Sequence, residues 1–293
     1  MCRLFALSAA PRRVSATFWL LEAPDSLAVQ SRREPDGVGL GVFDEHGRPV
    51  VHKRPVAAYE DREFAREARE LRSATFIGHI RYASTGGLLP QNTHPFEQDG
   101  RLFGHNGVLE DLPHLEQELG DAMSLVRGET DSERFFALVT KHVRGGADVG
   151  SALVGAARWV AGNLPLYALN VVLTTPTDLW ALRYPDTHEL WVLEREAGGP
   201  HGRHLEQASA AGTMRVRSGE LAQAPAVVVA SERVDENPGW RLLRSGELLH
   251  VTGDLSVQSD LVLDERPAHL LTLADLSPHA AASQHPTGSA RAA

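Results

Sequence analysis

The chain has one cysteine, and it is residue 2. If Met1 is removed, Cys2 carries a thiol and a free α-amine on the same residue. An α-amine titrates near pH 7.7–8.0 (about, in model peptides) and is partly neutral at pH 7. It can then take the thiol proton, directly or through a water, so nucleophile and base come from a single residue. The alternative is a small buried thiol that happens to fall there. A thiol attacking a carboxamide creates an oxyanion, which needs donors aimed at it. Asn106-Gly107 offers an amide side chain beside a backbone N–H; the same dipeptide is also a strong hairpin-turn signal.

A free amino-acid substrate adds two demands. Its α-carboxylate suits an arginine fork, and its α-ammonium suits a carboxylate. Arg81 closes an apolar run and is followed by Tyr82-Ala83-Ser84-Thr85-Gly86-Gly87, whose hydroxyls and N–H groups could complete an anion site. Asp131 lies in the acidic stretch Glu129-Thr130-Asp131-Ser132-Glu133. A surface arginine and a helix cap at Asp131 are the plainer readings. His79, His94 and His105 suggest a metal hydrolase, but no HExxH-like spacing accompanies them, and loop-ordering or core roles are expected. No metal and no cofactor is expected.

The elements that must position these residues are mostly strands. Arg3–Ser8, Thr75–Arg81 and Leu102–His105 read as strands, the last ending where Asn106-Gly107 turns the chain. Gly37–Phe43 and Pro49–Lys53 read as a hairpin around Asp44-Glu45-His46-Gly47. Further strands are expected at 166–174, 179–183, 190–193, 226–230, 248–252 and 257–263. Residues 61–72 have helical spacing, with Phe64, Ala65, Ala68 and Leu71 among charges. Residues 131–143 and 149–160 also read as helices, 84–100 as loop, and 14–33 as a helix broken at Pro24. Many strands with few helices argue an α+β fold with largely antiparallel sheets.

Composition sets outer limits. The 293 residues are 42% hydrophobic and 23% charged, proportions of a globular chain long enough for a large core. A formal net charge of -9 disfavours a nucleic-acid partner. No apolar run is long enough for a membrane helix, and no signal-peptide pattern opens the chain, so a cytoplasmic location is expected. A single cysteine cannot close a disulfide within the chain, which suits a reducing compartment. From 277 to 293 the residues are mainly Ala, Ser, Pro, Gly and His, read as a disordered tail after one domain over 2–276.

In order along the chain, these pieces resemble the class II glutamine amidotransferases. The resemblance runs through Met1-Cys2-Arg3-Leu4, Asp36-Gly37-Val38-Gly39, and His79-Ile80-Arg81-Tyr82-Ala83-Ser84-Thr85-Gly86. It continues through Asn92-Thr93-His94-Pro95-Phe96, His105-Asn106-Gly107 and Thr130-Asp131-Ser132-Glu133. One departure is Glu34-Pro35 before Asp36-Gly37, where many members have an arginine-glycine pair.

The resemblance implies an N-terminal-nucleophile hydrolase fold, a four-layer αββα sandwich of two antiparallel sheets flanked by helices. It implies Cys2 as nucleophile forming a γ-glutamyl thioester, Asn106 and Gly107 as the oxyanion hole, and Arg81 and Asp131 holding the amino-acid end, with Tyr82 and Ser84 beside them. Two substrates fit: glutamine, with ammonia passed to a partner protein, or a γ-glutamyl conjugate, as in ergothioneine synthesis. A non-catalytic glutamine-binding partner subunit is the remaining alternative.

Overall fold

Strands buried on both faces dominate the chain, which explains runs such as Ala226–Ala230 that are apolar without alternation. In β1 (Arg3–Ser8), Phe5 and Leu7 join one apolar cluster while Leu4 and Ala6 join another. The computed structural model describes residues 2–83, 86–197, 205–208, 215–218 and 224–284.

Further strands are β2 (Gly37–Phe43), β3 (Pro49–Arg54), β4 (Thr75–Arg81), β5 (Phe96–Gln98), β6 (Arg101–Leu109), β7 (Pro165–Thr174), β8 (Leu179–Arg183) and β9 (Trp191–Arg195). A separate hairpin pairs β10 (Leu205–Ala208) with β11 (Arg215–Ser218). Then come β12 (Ala226–Ala230), β13 (Arg241–Leu242), β14 (Glu247–Val251), β15 (Val257–Leu261) and β16 (His269–Leu270). One sheet has the order β13-β9-β12-β1-β4-β2-β3 and is antiparallel throughout. The other has the order β15-β14-β8-β7-β6-β5, also antiparallel, with β16 added parallel to β7.

Helices cover the outer faces. The turn Phe18–Glu22, α1 (Leu27–Gln30) and α2 (Arg62–Glu70) pack on the first sheet through Phe18, Trp19, Leu27, Phe64 and Ala68. On the second sheet lie α3 (Leu112–Leu119), α4 (Asp131–Arg144) and α5 (Val149–Asn163), through Leu115, Phe135, Leu138, Leu153 and Ala157. Between the sheets, Leu4, Ala6, Ile77, Leu102, Val172, Leu179 and Val229 form a dry layer. The αββα order implied by the family resemblance is the observed one.

Four local readings differ from expectation. Asn106-Gly107 does not turn the chain: β6 runs through to Leu109, pairing Asn106 with Asn170 and Gly107 with Leu169. Tertiary pairing overrides the turn signal, because Gly107 serves a close strand approach; a Cβ there would lie 1.8 Å from the Ala168 carbonyl oxygen. Within the expected loop 84–100, Phe96–Gln98 forms β5 on the edge of β6. Leu112–Leu119 is a helix with no forecast. Pro278–Gln284, read as tail, forms α6, with Ala280 packed beside Val108 and Tyr167 and with Gln284 Oε1 2.7 Å from His188 Nε2. Residues 285–293 lie outside the described residues.

Candidate active site

Cys2 stands one residue before β1. Leu4 and Ala6 face the space between the sheets, and Cys2, two residues before Leu4, lines a cavity with Arg81, Gly107 and Asp131. The thiol is half-buried, and Sγ lies 3.3 Å from both the N and the O of Tyr82, just past the end of β4. Burial pushes the thiol pKa up, and the Tyr82 N–H and the Arg81 charge work against that. A thiol in this setting stays protonated at neutral pH until a base takes its proton.

Asn106 reaches the same space from the second sheet, because Leu102, four residues earlier, belongs to the inter-sheet layer. Its cross-strand partner, Asn170, gives a contrast. Asn170 Nδ2 donates to the Glu189 carbonyl at 3.0 Å, and its Oδ1 accepts from Tyr184 N at 3.2 Å. Asn106 is just as buried, yet among the described residues its Nδ2 has no acceptor. An unpaired buried amide costs stability.

Arg81 ends β4 and is 3% exposed. Its guanidinium donates to the Gly87 carbonyl at 3.0 Å and to the Gly86 carbonyl at 3.3 Å. Glu129 holds the other side of that loop: Oε2 accepts from Gly87 N at 3.0 Å and from Asn92 Nδ2 at 2.9 Å, while Glu129 N donates to Asn92 Oδ1 at 2.9 Å. Asn92 therefore acts as a splint between the two segments.

Asp131 is buried in the first turn of α4, but Thr130, not Asp131, is the cap. Thr130 Oγ1 accepts from Glu133 N at 3.2 Å, a Thr-x-x-Glu start. The expected cap at Asp131 is thus displaced by one residue, which releases its carboxylate for other partners. Oδ2 accepts from Leu109 N at 2.9 Å, and Oδ1 accepts from Ser132 N at 2.8 Å. Each oxygen retains acceptor capacity.

The three histidines are buried and packed. His79 and His94 stack with centroids 4.1 Å apart, and His105 Nδ1 lies 2.9 Å from Ser132 Oγ. Burial lowers all three pKa values, His79 to about 3, so they are neutral at pH 7. The His94-Pro95 segment crosses β2 only because of a glycine: a Cβ on Gly39 would lie 1.8 Å from the His94 carbonyl oxygen.

Cys2, Arg81, Tyr82, Gly107 and Asp131 line one cavity together with His94, His105 and Asn92. Asn106 stands on the neighbouring strand position without lining it, and Ser84 lies outside the described residues, as does Met1. The cavity is small, about 20 Å³, room for roughly one water. Larger hollows of about 400, 550 and 410 Å³ hold none of these residues. A thiol, an arginine and a buried carboxylate converge on the small cavity, which makes it the candidate site. Sequence reasoning missed the Glu129–Asn92 splint and the His105–Ser132 contact, although all four residues stand inside motifs it had marked.

Residues 1–270 match the family model for glutamine amidotransferases class-II. The chain is 27% identical over 190 residues to glutamine–fructose-6-phosphate aminotransferase [isomerizing] of Gluconobacter oxydans, covering 65% of this chain and 28% of that protein. It is 28% identical over 191 residues to amidophosphoribosyltransferase of Synechococcus elongatus, covering 63% and 36%. The chain thus spans about a third or less of the length of these curated relatives. Among solved structures, it resembles a Bacillus subtilis glutamine phosphoribosylpyrophosphate amidotransferase with TM-score 0.63, 19% identity and coverage of 90% and 50%. It also resembles a class-II glutamine aminotransferase domain protein from Silicibacter pomeroyi, with TM-score 0.56, 20% identity and coverage of 88% and 98%.

Proposed function

Because the chain belongs to the class-II glutamine amidotransferases, we propose that it hydrolyses a γ-glutamyl amide, glutamine being the reference substrate, through a thioester on Cys2. The observation that carries this reading is the buried Asn106 amide, whose Nδ2 has no acceptor among the described residues, across the ladder from Asn170, which is paired at both ends of its amide.

With Met1 removed, the α-amine of Cys2 takes the thiol proton, and Sγ attacks the γ-carbonyl carbon. The carbonyl oxygen becomes an oxyanion, received by Asn106 Nδ2 and the Gly107 N–H. Collapse expels ammonia carrying the proton delivered by the α-ammonium, and leaves the γ-glutamyl thioester. Water, deprotonated by the same amine, then releases glutamate and restores the thiol. The substrate α-carboxylate exchanges with the Gly86 and Gly87 carbonyls on the Arg81 fork, and Asp131 receives the α-ammonium, with Tyr82 at the thiol. Such an exchange also enlarges a cavity that now has room for about one water.

Arg81 and Asp131 address only the glutamyl half, so glutamine and γ-glutamyl conjugates share the same recognition. In the glutamine case a separate protein receives the ammonia. The test is glutamate release from glutamine and from γ-glutamyl conjugates, on protein whose Met1 removal is verified by intact mass. Release that disappears in Cys2→Ala supports the reading. No release from any of these substrates with Cys2 terminal overturns it in favour of a binding subunit.

A further inference from the structure

A nucleophile at the start of a chain has little to hold it. The ladder of β1 begins at Arg3, opposite Ile80, on one side and at Phe5, opposite Ala230, on the other. Ser231 extends the second edge only to Leu4, whose N donates to Ser231 Oγ at 2.9 Å and whose O accepts from Ser231 N at 3.0 Å. Residue 2 stands beyond both ladders, and strand pairing does not set its torsions.

The next side chain folds back over it. Arg3 Nη1 donates to the Cys2 carbonyl oxygen at 3.4 Å. The same Nη1 is 3.5 Å from Glu34 Oε1, and Nη2 is 2.6 Å from Glu232 Oε1. Arg3 and Glu34 are both buried, and Glu232 is gripped from outside by Arg33 at 3.3 Å. The loop that carries Glu34 also ties down the other flank of the thiol: Asp36 Oδ2 accepts from Ala83 N at 3.0 Å, and Asp36 N donates to the Arg81 carbonyl at 3.1 Å.

A buried ion cluster is a poor source of stability, because desolvation offsets the attraction. Nor do its acids activate the thiol by charge: Glu34 pushes the Cys2 pKa up, while burial raises Glu34 itself to about 7. What the cluster supplies is geometry. Building on the assignment of Cys2 as nucleophile, we infer that Arg3 is a positioning residue: clamped by Glu34 and Glu232, it fixes the peptide plane after Cys2 and so aims the thiol and α-amine.

The experiment compares Arg3→Lys and Glu232→Gln with the parent protein. Steady-state kinetics on glutamine or the conjugate that is turned over, the thermal midpoint, and the alkylation rate of the single cysteine are measured together. Lysine keeps the charge but not the fork. In Arg3→Lys, kcat should fall on the order of tenfold to a hundredfold, with KM little changed, as expected when a reacting group is misaimed. Glu232→Gln, at a half-buried position that tolerates the change, should lower kcat in the same direction by less. Alkylation at fixed pH should stay near the parent rate, because burial and net positive charge at residue 3 persist. Unchanged kcat in both variants, with turnover still lost in Cys2→Ala, overturns this inference alone. A drop in thermal midpoint with kcat of the folded protein intact also overturns it, leaving Arg3 a structural role. Absence of turnover in the parent protein overturns the Cys2 assignment and the inference with it.

Discussion

Leu4 lies in β1 and Cys2 just before that strand, two residues apart, yet they meet different company. Leu4 packs with Ala6, Ile77, Leu102 and Val172 in a largely apolar layer. Cys2 meets the Tyr82 backbone, the buried charges of Arg81 and Asp131, and neutral histidines. Asn170 and Asn106 repeat the contrast across β7 and β6: one amide is paired at both ends, and the other has no acceptor for its Nδ2 among the described residues. The two ends of the inter-sheet space divide the work. The apolar end buries area and stabilises; the polar end, where Cys2, Arg81 and Asp131 line a cavity, spends buried volume on polar groups, which lowers stability.

The sharpest way to break this division is to exchange the two behaviours. Cys2→Ala should abolish turnover with the thermal midpoint nearly unchanged. Ile77→Ala, at the apolar end, should cost about 2–5 kcal/mol of stability while the folded protein keeps its kcat/KM. Denaturant titration and kinetics on the same two samples check both; lost activity in folded Ile77→Ala would mean that the ends are not separable.

The asparagine pair is the next test. Asn106→Ala should lower kcat on the order of 10²–10³-fold, with stability unchanged or improved because a buried unpaired amide is removed. Asn170→Ala should do the reverse, losing about 1–3 kcal/mol by stranding Tyr184 N–H and the Glu189 carbonyl. A defect of Asn106→Ala confined to KM would argue against an oxyanion role.

Smaller effects belong to the ends of the substrate. Arg81→Ala and Asp131→Ala should each lower kcat/KM roughly ten- to a hundredfold through loss of one charge-assisted contact. Asp131→Ala should also lower the midpoint, since Leu109 N loses its acceptor. Normal kinetics in both would place the amino-acid pocket elsewhere.

The weakest lever is pH. His79 titrates near pH 6.5 when unfolded and at about 3 in the fold, with burial as the main cause. The unfolded chain therefore binds the proton first as pH falls, and stability drops below about pH 6.5, by up to roughly 1.4 kcal/mol per pH unit for such a group. Chemical denaturation at pH 7 and pH 5 measures this; equal stabilities would mean that the histidine is not held neutral.

Much of this molecule was legible in its residues. Most strands and three longer helices follow from apolar spacing, and the hairpin at 44–47 from its turn residues. The motif order marked Cys2, Arg81, Asn106, Gly107 and Asp131 before any geometry was known. Other features were illegible for physical reasons. Phe96–Gln98 is an edge strand of three residues, too short for a period to show. Gln284 belongs to the body of the protein through a contact with His188, 96 positions away. The Glu129–Asn92 splint joins segments 37 residues apart, and local chemistry does not foretell which loop a carboxylate will brace.

The amino-acid sequence by itself determined the inventory: one thiol, at residue 2, an amide-glycine pair, an arginine and an aspartate at ordered spacings, and enough β-forming apolar runs to bury them. Only the tertiary structure decided how each is used. Asn-Gly is a turn signal in isolation, but the packing of β6 against β7 makes it a straight strand, because the Ala168 carbonyl approaches too closely for any side chain at residue 107. Asn170 is paired through Glu189 and Tyr184, while among the described residues the Asn106 Nδ2 has no acceptor. Residue types set what hydrogen bonds a side chain can make; which ones remain unmade depends on neighbours brought in from distant parts of the chain.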